Sequence, residues 1–500
     1  MPPTPKPRNF ARPAPAKRRW TAPDLLPKEV MVKFVDVPRD EGLPNVGNYI
    51  LCVLIFVIYS RVLDLNPTIS ALRLPLMMSM AVCAIAFMSG SVLDRIGPGG
   101  RYLLGFTIWV IAGAPFGHYR TQSMLTIIEM LKSILIFIAC AALITTPRQS
   151  RRALWAVALS SLASSLIGSF SGETEAGRLK LDSGSLKDPN TFAMFLLMGL
   201  PIWWYFASRA SKYAVKVIYW ACTIPILLAF GKTGSRGGMV AFGVVLLASF
   251  LRLSAMKKVL FTFGSVILLA GLYATLPPYL KVRYFTIFAA KEAARTLGDE
   301  AQKLEGDTSS SEERYKLLIE SLLMTAKNPI FGVGAGNFAN YLEMEANKRG
   351  GRTFGQPTHN SYTEISSEAG LPALIFFIAA LAYTLRRLHV IVKARPPSPS
   401  KTWTDLMLAA RYLRLSLLSV MVCCFFLNYA YKGIFQPLLG IITGVTTVAL
   451  GELIRLKAAA DKAAQEAKAP AGTAPAAAPS GPKRPWNPRN TGFRPAPFRP

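Results

Sequence analysis

A single histidine in a polar stretch is the first side chain here that suits acid–base chemistry. His359, one of three histidines in the chain, lies in the run Pro357-Thr358-His359-Asn360-Ser361-Tyr362. An imidazole titrates near neutral pH and suits the removal of a proton from a sugar hydroxyl. It has no His, Cys or paired acid around it at metal-ligand spacing, which predicts that no metal is bound. The alternative is a structural, hydrogen-bonded histidine.

Two arginines supply the charge that an anionic substrate requires. Arg314 follows Ser310-Ser311-Glu312-Glu313, which fits a capping box, so we place it in the first turn of a helix that Asn328-Pro329 ends. Arg236 lies in Thr233-Gly234-Ser235-Arg236-Gly237-Gly238 at the start of an apolar run. Because the guanidinium fork matches phosphate oxygens, the pair is a candidate clamp for a pyrophosphate. The alternatives are a salt bridge of Arg314 with Glu312 or Glu313, and snorkelling of Arg236 to lipid headgroups.

Further polar residues lie near the ends of apolar runs or inside one of them. Arg178, Lys187 and Asn190 crowd the start of one run, with Asp188 and Pro189 between them. Inside another run, Glu129 and Lys132 are three residues apart. Charges inside a membrane are costly and are functional candidates, although mutual pairing on one helix face explains them equally.

A glycine-rich run lies between Arg314 and His359. The run Gly332-Val333-Gly334-Ala335-Gly336 lacks the spacing and the preceding strand of a dinucleotide fingerprint. We interpret it as a tight turn that passes close to neighbouring backbone.

Composition indicates a membrane protein. Hydrophobic residues make up 51% of the 500 residues, and apolar runs of about 20 residues recur, the length that crosses a bilayer as a helix. The net charge of +29 does not indicate a nucleic-acid partner, because the basic residues fall in short loops and in the two terminal segments. All six cysteines lie in apolar runs, so we expect no disulfide in the long polar segment.

The fold class predicted is an all-α integral membrane protein with about 12 transmembrane helices and one large helical extracytoplasmic loop between helices 9 and 10. The excess of Lys and Arg in alternate short loops predicts that both termini are cytoplasmic. The loop then faces the opposite compartment. The predicted spans have these approximate bounds: 47–64, 72–90, 101–117, 123–145, 152–170, 190–207, 213–230, 237–253, 257–276, 370–391, 411–430 and 434–454.

Five regions follow from this interpretation. The terminal segments are rich in Pro, Ala and basic residues, a composition typical of disorder, with a short apolar cluster at 30–37. The regions are a cytoplasmic tail at 1–45, helices 1–9 at 46–276, the periplasmic loop at 277–369, helices 10–12 at 370–455 and a second cytoplasmic tail at 456–500.

Taken in order, these motifs resemble the O-antigen ligase and O-antigen polymerase superfamily of bacterial envelope glycan transferases. The resemblance runs from about the fourth span to the eleventh. Each motif is weak alone, but their order around a long outer loop is specific. The motifs are Asp188-Pro189-Asn190, Ser235-Arg236-Gly237, Asn328-Pro329 leading into Gly332–Phe338, His359-Asn360-Ser361-Tyr362 and Glu368-Ala369-Gly370-Leu371-Pro372.

The resemblance implies an enzyme of the bacterial inner membrane whose active site faces the periplasm. It moves a glycan from undecaprenyl pyrophosphate to an acceptor hydroxyl on a lipid, protein or glycan, with no metal or other cofactor. Arg236 and Arg314 fall on the arginines thought to hold the pyrophosphate, and His359 on the histidine that assists acceptor attack. The supporting residues that we add are Arg178, Lys187, Asn190, Asn360, Glu368, Glu129 and Lys132.

Two questions stay open at this point. Ligation and polymerisation share the donor and differ in the acceptor, and nothing in the sequence selects between them. A transporter or flippase for a lipid-linked sugar is the alternative from another class. It predicts charges spread through the span interiors and paired broken helices, whereas the strongest polar cluster here lies at the outer face. A passive structural membrane protein would leave Arg236, Arg314 and His359 unexplained.

Overall fold

The computed structural model of the chain is a helical bundle with one small β-hairpin. It describes residues 43–90, 92–175, 177–181, 184–285, 301–348, 350 and 355–466. Residues 1–42 and 467–500 of the predicted tails, with the apolar cluster at 30–37, lie outside the described residues, whereas 456–466 are helical. The helices are α1 (Leu43–Ser60), α2 (Pro67–Ala71), α3 (Leu74–Met88), α4 (Val92–Gly113), α5 (Arg120–Leu143), α6 (Pro147–Ser171), α7 (Pro189–Arg209), α8 (Tyr213–Ala221), α9 (Thr223–Lys232), α10 (Arg236–Phe250), α11 (Ala255–Ala274), α12 (Pro278–Phe285), α13 (Ala301–Lys327), α14 (Phe338–Lys348), α15 (Ser361–Lys393), α16 (Lys401–Cys423) and α17 (Phe435–Glu466).

The hairpin and three short helical turns complete the described structure. Strand β1 (Glu173–Glu175) pairs antiparallel with β2 (Arg178–Lys180), and Glu173 lies opposite Lys180. The 3₁₀ turns are Val62–Leu65, Ala114–Phe116 and Gly184–Leu186.

Among the described residues, eight helical segments are long and apolar enough to cross a membrane, so by helix composition the chain is a multi-pass membrane protein. One of them combines α8 and α9 as Tyr213–Lys232. Three shorter apolar helices, at Pro44–Ser60, Leu74–Met88 and Arg236–Phe250, accompany them. The prediction of an all-helical membrane protein is thus confirmed, while the count of about 12 spans stays a prediction.

Helix α7 lies at the centre of the bundle. Of the most apolar 18-residue stretch of α7, 89% is buried inside the protein, whereas the corresponding stretch of α11 is 6% buried. The core around α7 is built from large aromatic and aliphatic side chains, among them Phe192, Phe195 and Trp203. Helix α11 therefore has the surface of a peripheral helix that lipid covers, whereas α7 holds the others together.

The predicted start of the loop helix is wrong. The Ser310–Glu313 motif was expected to cap a helix, but α13 begins at Ala301, so Ser310 and Arg314 lie inside the helix. Residues 301–305 are Ala, Gln, Lys, Leu and Glu, all good helix formers, and the helix continues from them through Gly306 and Asp307 into the motif. The predicted stop is confirmed, because α13 ends at Lys327, directly before Asn328-Pro329.

The bounds of two predicted spans also need correction. The span at 411–430 is displaced: α16 begins ten positions earlier, where the Ser400 side chain accepts a hydrogen bond from the Trp403 N–H, and it ends at Cys423. The span at 370–391 begins too late, since α15 starts at Ser361 and passes through a kink at Gly370. Both predicted starts are too late because they follow the apolar runs. The residues that begin each helix are polar and do not raise its hydropathy.

Candidate functional site

Three helices begin with a capping side chain near the same end of the bundle. Asp188 caps α7, Ser235 caps α10 and Asn360 caps α15, each accepting hydrogen bonds from backbone N–H groups of the first turn. These residues belong to three of the predicted motifs, and each of those three motifs is a helix start. The N-terminal end of a helix carries partial positive charge and favours anions.

Arg178 joins two of these starts. Its Nη2 donates to Oδ1 of Asn190, in the first turn of α7, at 2.7 Å. Its Nε donates to the carbonyl oxygen of Thr233, before α10, at 3.0 Å. The predicted crowding of Arg178 and Asn190 is thus present in the structure, and it includes the segment before Arg236. Lys187 lies exposed beside Asp188.

The turn that carries Arg236 is braced from its other side by α12. Arg283 Nε donates to the Gly234 carbonyl oxygen at 2.8 Å, and the Tyr284 hydroxyl donates to the Gly231 carbonyl oxygen at 2.9 Å. Burial raises the pKa of Tyr284 to about 12, which keeps its hydroxyl protonated as a donor. Gly234 adopts φ 61°, a conformation that favours glycine. Arg283 was not among the predicted site residues, because its bond to Gly234 joins segments 49 positions apart.

Segment 424–434, between α16 and α17, holds the two sides of the site together; we call it the return segment. On one side, it packs against α10: a side chain at Gly237 would meet Phe426 at 2.7 Å. On the other side it binds Ser361. The Ser361 hydroxyl donates to the Leu427 carbonyl oxygen at 2.6 Å and accepts from the Tyr429 N–H at 2.9 Å. Arg236 and His359 are each within two residues of these anchors.

His359 itself has an unusual backbone. Its φ is 51°, in the left-handed region that few residues other than glycine adopt. The conformation is held from the C-terminal side, where Asn360 Oδ1 accepts from the Tyr362 and Thr363 N–H groups at 3.0 and 3.3 Å. Such strain persists where the surrounding structure determines it, and it clusters at functional sites.

Charged side chains surround the His359 imidazole. Burial lowers its pKa below 6.5, and the nearby Arg314 guanidinium and Lys432 ammonium lower it further. Asp188 and Glu313 oppose this effect and raise the pKa. The imidazole is therefore neutral at pH 7 and able to accept a proton. Arg314, Lys432, Asp188 and Glu313 therefore all act on the charge of His359, while the shared role of Arg314 and His359 stays a prediction.

Arg314 lies on the side of α13 that faces the protein. Leu317, Ser321 and Met324 follow it at helical spacing and are all buried. Leu317 and Met324 pack with Phe338 of α14, and the Thr325 hydroxyl is 2.9 Å from that of Ser366 on α15. These contacts direct the helix, and Arg314 with it, toward the start of α15.

The glycine-rich run forms the tight turn that its sequence predicts. Gly332, Gly334 and Gly336 have φ values of 65°, 100° and 73°. The Val333 and Gly334 N–H groups donate to the carbonyl oxygens of Ser367 and Glu368 at 2.9 and 2.8 Å. A Cβ at Gly332 would meet the Glu368 carbonyl carbon at 2.2 Å, so backbone does pass against backbone here.

Two buried carboxylates of α15 hold the segments on either side of it. Glu368 accepts from the Gly336 and Phe338 N–H groups at 2.7 and 3.0 Å, while Glu364 accepts from the Ala430 N–H at 3.1 Å. Glu368 thus ties the glycine-rich turn to α15, and Glu364 ties the return segment to it. Glu364 was missed, since nothing local distinguishes it from a solvated residue.

The remaining predicted residues lie as follows. Glu129 and Lys132 form an ion pair with an N–O distance of 2.6 Å, in line with the mutual-pairing interpretation, and both side chains are more than half exposed. Within the described ranges, no group of three or more His, Cys, Asp or Glu side chains is placed to hold a metal ion. The part of Arg236 in a shared site with Arg314 and His359 stays a prediction.

Fold and site together define a multi-pass helical membrane protein with a polar, arginine-rich site at one end of the bundle. Residues 221–378 match the family described as O-Antigen ligase, which confirms the resemblance over this range. The matched range contains Arg236, Arg314 and His359. Comparison with curated proteins gives no match.

Proposed function

We propose that the protein transfers a glycan from undecaprenyl pyrophosphate to an acceptor hydroxyl at the periplasmic face of the bacterial inner membrane. The observation that carries this proposal is the environment of His359: a neutral, partly buried imidazole beside the Arg314 guanidinium. The helix starts at Asp188, Ser235 and Asn360 add partial positive charge near the same end of the bundle.

In the reaction, His359 takes the proton of the acceptor hydroxyl as its oxygen attacks the anomeric carbon of the donor glycan. The bond between that carbon and the phosphate oxygen breaks, and undecaprenyl pyrophosphate leaves with the bonding electrons. Arg314 and Arg236 stabilise the charge that develops on the leaving group. Lys432, beside His359, adds a third cation. No step requires a metal or a nucleotide.

The remaining predicted residues position His359, Arg314 and Arg236 or add charge near them. Arg178 and Asn190 hold the turn that carries Arg236, and Lys187 contributes charge at the rim. Asn360 fixes the backbone that follows His359, and Glu368 fixes the glycine-rich turn behind Arg314. The pair Glu129–Lys132 is proposed to lie beside the path of the lipid tail, since intramembrane charges cluster along substrate paths.

The experiment that tests this function uses the full chain in proteoliposomes with undecaprenyl-pyrophosphate glycan. Two acceptors are offered, a lipid A-type acceptor and a second lipid-linked glycan, and the products are resolved by mass. We expect glycan on one of the two acceptors together with released undecaprenyl pyrophosphate. Movement of intact donor across the bilayer with no transfer to either acceptor would instead support the flippase.

A further inference from the structure

A polar cavity lies at the end of the bundle opposite the candidate site. It has a volume of about 640 Å³ and is lined by residues from the start of α6, the end of α7, the start of α8 and the start of α16. The candidate site adjoins Asp188 at the start of α7, whereas this cavity adjoins Arg209 at its end. With 21 residues in α7, the two are separated by about 30 Å, roughly a membrane thickness.

The cavity is strongly basic around one partly buried carboxylate, that of Asp405. Arg151 Nη2 and Arg209 Nε each contact an oxygen of Asp405 at 2.7 Å. The Tyr205 hydroxyl donates to the same carboxylate at 2.9 Å. Lys212 and Lys401 also line the cavity. Four cations therefore face one anion, and the ion pairs that hold the two arginines leave a net positive charge in the cavity.

One wall of the cavity is aromatic. Trp155 stacks on Phe206 with ring centroids 4.0 Å apart, and Tyr219 packs edge-on against Trp155 at 5.6 Å. All three residues line the cavity, and each lies within nine residues of the end of a candidate membrane span. Aromatic rings and lysines at span ends occupy the headgroup level of a bilayer.

We propose that this cavity binds the phosphate-bearing headgroup of an anionic phospholipid. The arginines and lysines supply donors for the phosphate oxygens, and the aromatic wall suits the glycerol and the first methylenes of the acyl chains. The terminal segments of the chain are unsuitable occupants, because 1–42 and 467–500 both carry a net positive charge. A lipid is favoured over free phosphate, because the cavity combines this charge with an apolar wall at the span ends.

The test measures thermal unfolding of the full purified chain in detergent, titrated with phosphatidylglycerol, phosphatidylcholine or inorganic phosphate. We expect phosphatidylglycerol alone to raise the unfolding temperature. The double variant Lys212→Gln, Lys401→Gln should weaken that binding at least about tenfold, since it removes two cations while leaving both arginine–Asp405 pairs in place. Its unfolding temperature without lipid should match the wild type, which shows that the variant folds.

The matched control is the double variant Lys257→Gln, Lys258→Gln. These lysines lie at the start of α11, at the same end of the bundle, but outside the cavity. We expect this control to bind phosphatidylglycerol like the wild type. Equal weakening in both double variants would overturn the proposal in favour of general attraction to an anionic surface. An equal effect of inorganic phosphate and phosphatidylglycerol would overturn the assignment to a lipid.

Discussion

The carboxylate of Glu368 accepts a hydrogen bond of 2.7 Å from the backbone N–H of Gly336, 32 positions earlier in the chain. This bond fastens the glycine-rich turn, and the helix α13 before it, to α15, which begins two residues after His359. Arg314 belongs to α13, and His359 lies directly before the Asn360 cap of α15. The distance between the two proposed functional side chains therefore depends on a contact in which neither takes part.

Replacing Glu368 by Gln should loosen this junction. The amide group of Gln retains one acceptor oxygen but presents an NH₂ group to a backbone N–H, so one buried donor loses its partner. We expect a loss of about 1–3 kcal/mol in the free energy of unfolding and reduced glycan transfer. Thermal unfolding and transfer assays of the purified variant check this.

The control for Glu368→Gln is Glu343→Gln. Glu343 is exposed on α14, seven positions after Gly336, and receives the same substitution. Its unfolding should change by less than about 0.5 kcal/mol. Equal destabilisation by the two substitutions would contradict the assignment of Glu368 as the fastening residue.

Gly332→Ala tests the close approach of backbone in the glycine-rich turn. The new methyl group would lie 2.2 Å from the Glu368 carbonyl carbon, so the turn must move. We expect a destabilisation larger than the strain of about 1–2 kcal/mol that a positive φ alone imposes. Gly350→Ala is the matched control: its φ is +74°, but a Cβ there meets no atom of the described residues within 4 Å. If the two variants unfold alike, strain alone accounts for the effect and the close contact is unimportant.

The pH dependence of transfer should report the charges around His359. As a base, the imidazole works unprotonated, so the rate falls as the pH drops through its pKa, which lies below 6.5. Lys432→Gln removes a cation that lowers this pKa, and the acid limb should move to higher pH. Glu313→Gln removes an anion that raises it, and the limb should move to lower pH. Shifts in the same direction for both variants would count against His359 as the titrating base.

Arg283→Ala should disturb the turn that carries Arg236. It removes the hydrogen bond to the Gly234 carbonyl oxygen, so we expect a severalfold rise in the KM for the lipid-linked donor and a destabilisation on the order of 1 kcal/mol. Lys281→Ala removes the same charge from the same helix, where the ammonium group stands over Tyr273 instead. A KM that rises equally in both variants would indicate loss of general positive charge rather than loss of the brace.

What could be predicted from the sequence was mostly local. The sequence places Asp188 and Ser235 at the starts of apolar runs, and the structure shows that they and Asn360 cap helices, each through backbone two or three residues away. The Ser310 motif shows the limit of this reasoning, since the same residue types also occur inside a helix. Other contacts join segments that are far apart in the chain, so no local sequence pattern predicts them. They are the contacts of Glu364, Glu368, Arg283 and Lys432.

The role of His359 as the general base is tested most directly in a single turnover by the reconstituted protein. The assay measures both the release of undecaprenyl pyrophosphate and the glycosylation of the acceptor. His389 lies in the second half of α15, where it contacts Arg414 of α16. We expect the His389→Ala variant to give both products in the same amounts as the wild type. His359→Ala should bind the donor but release and transfer at least about a hundredfold more slowly, the contribution typical of a general base. Transfer by His359→Ala at the wild-type rate would contradict the proposed chemistry.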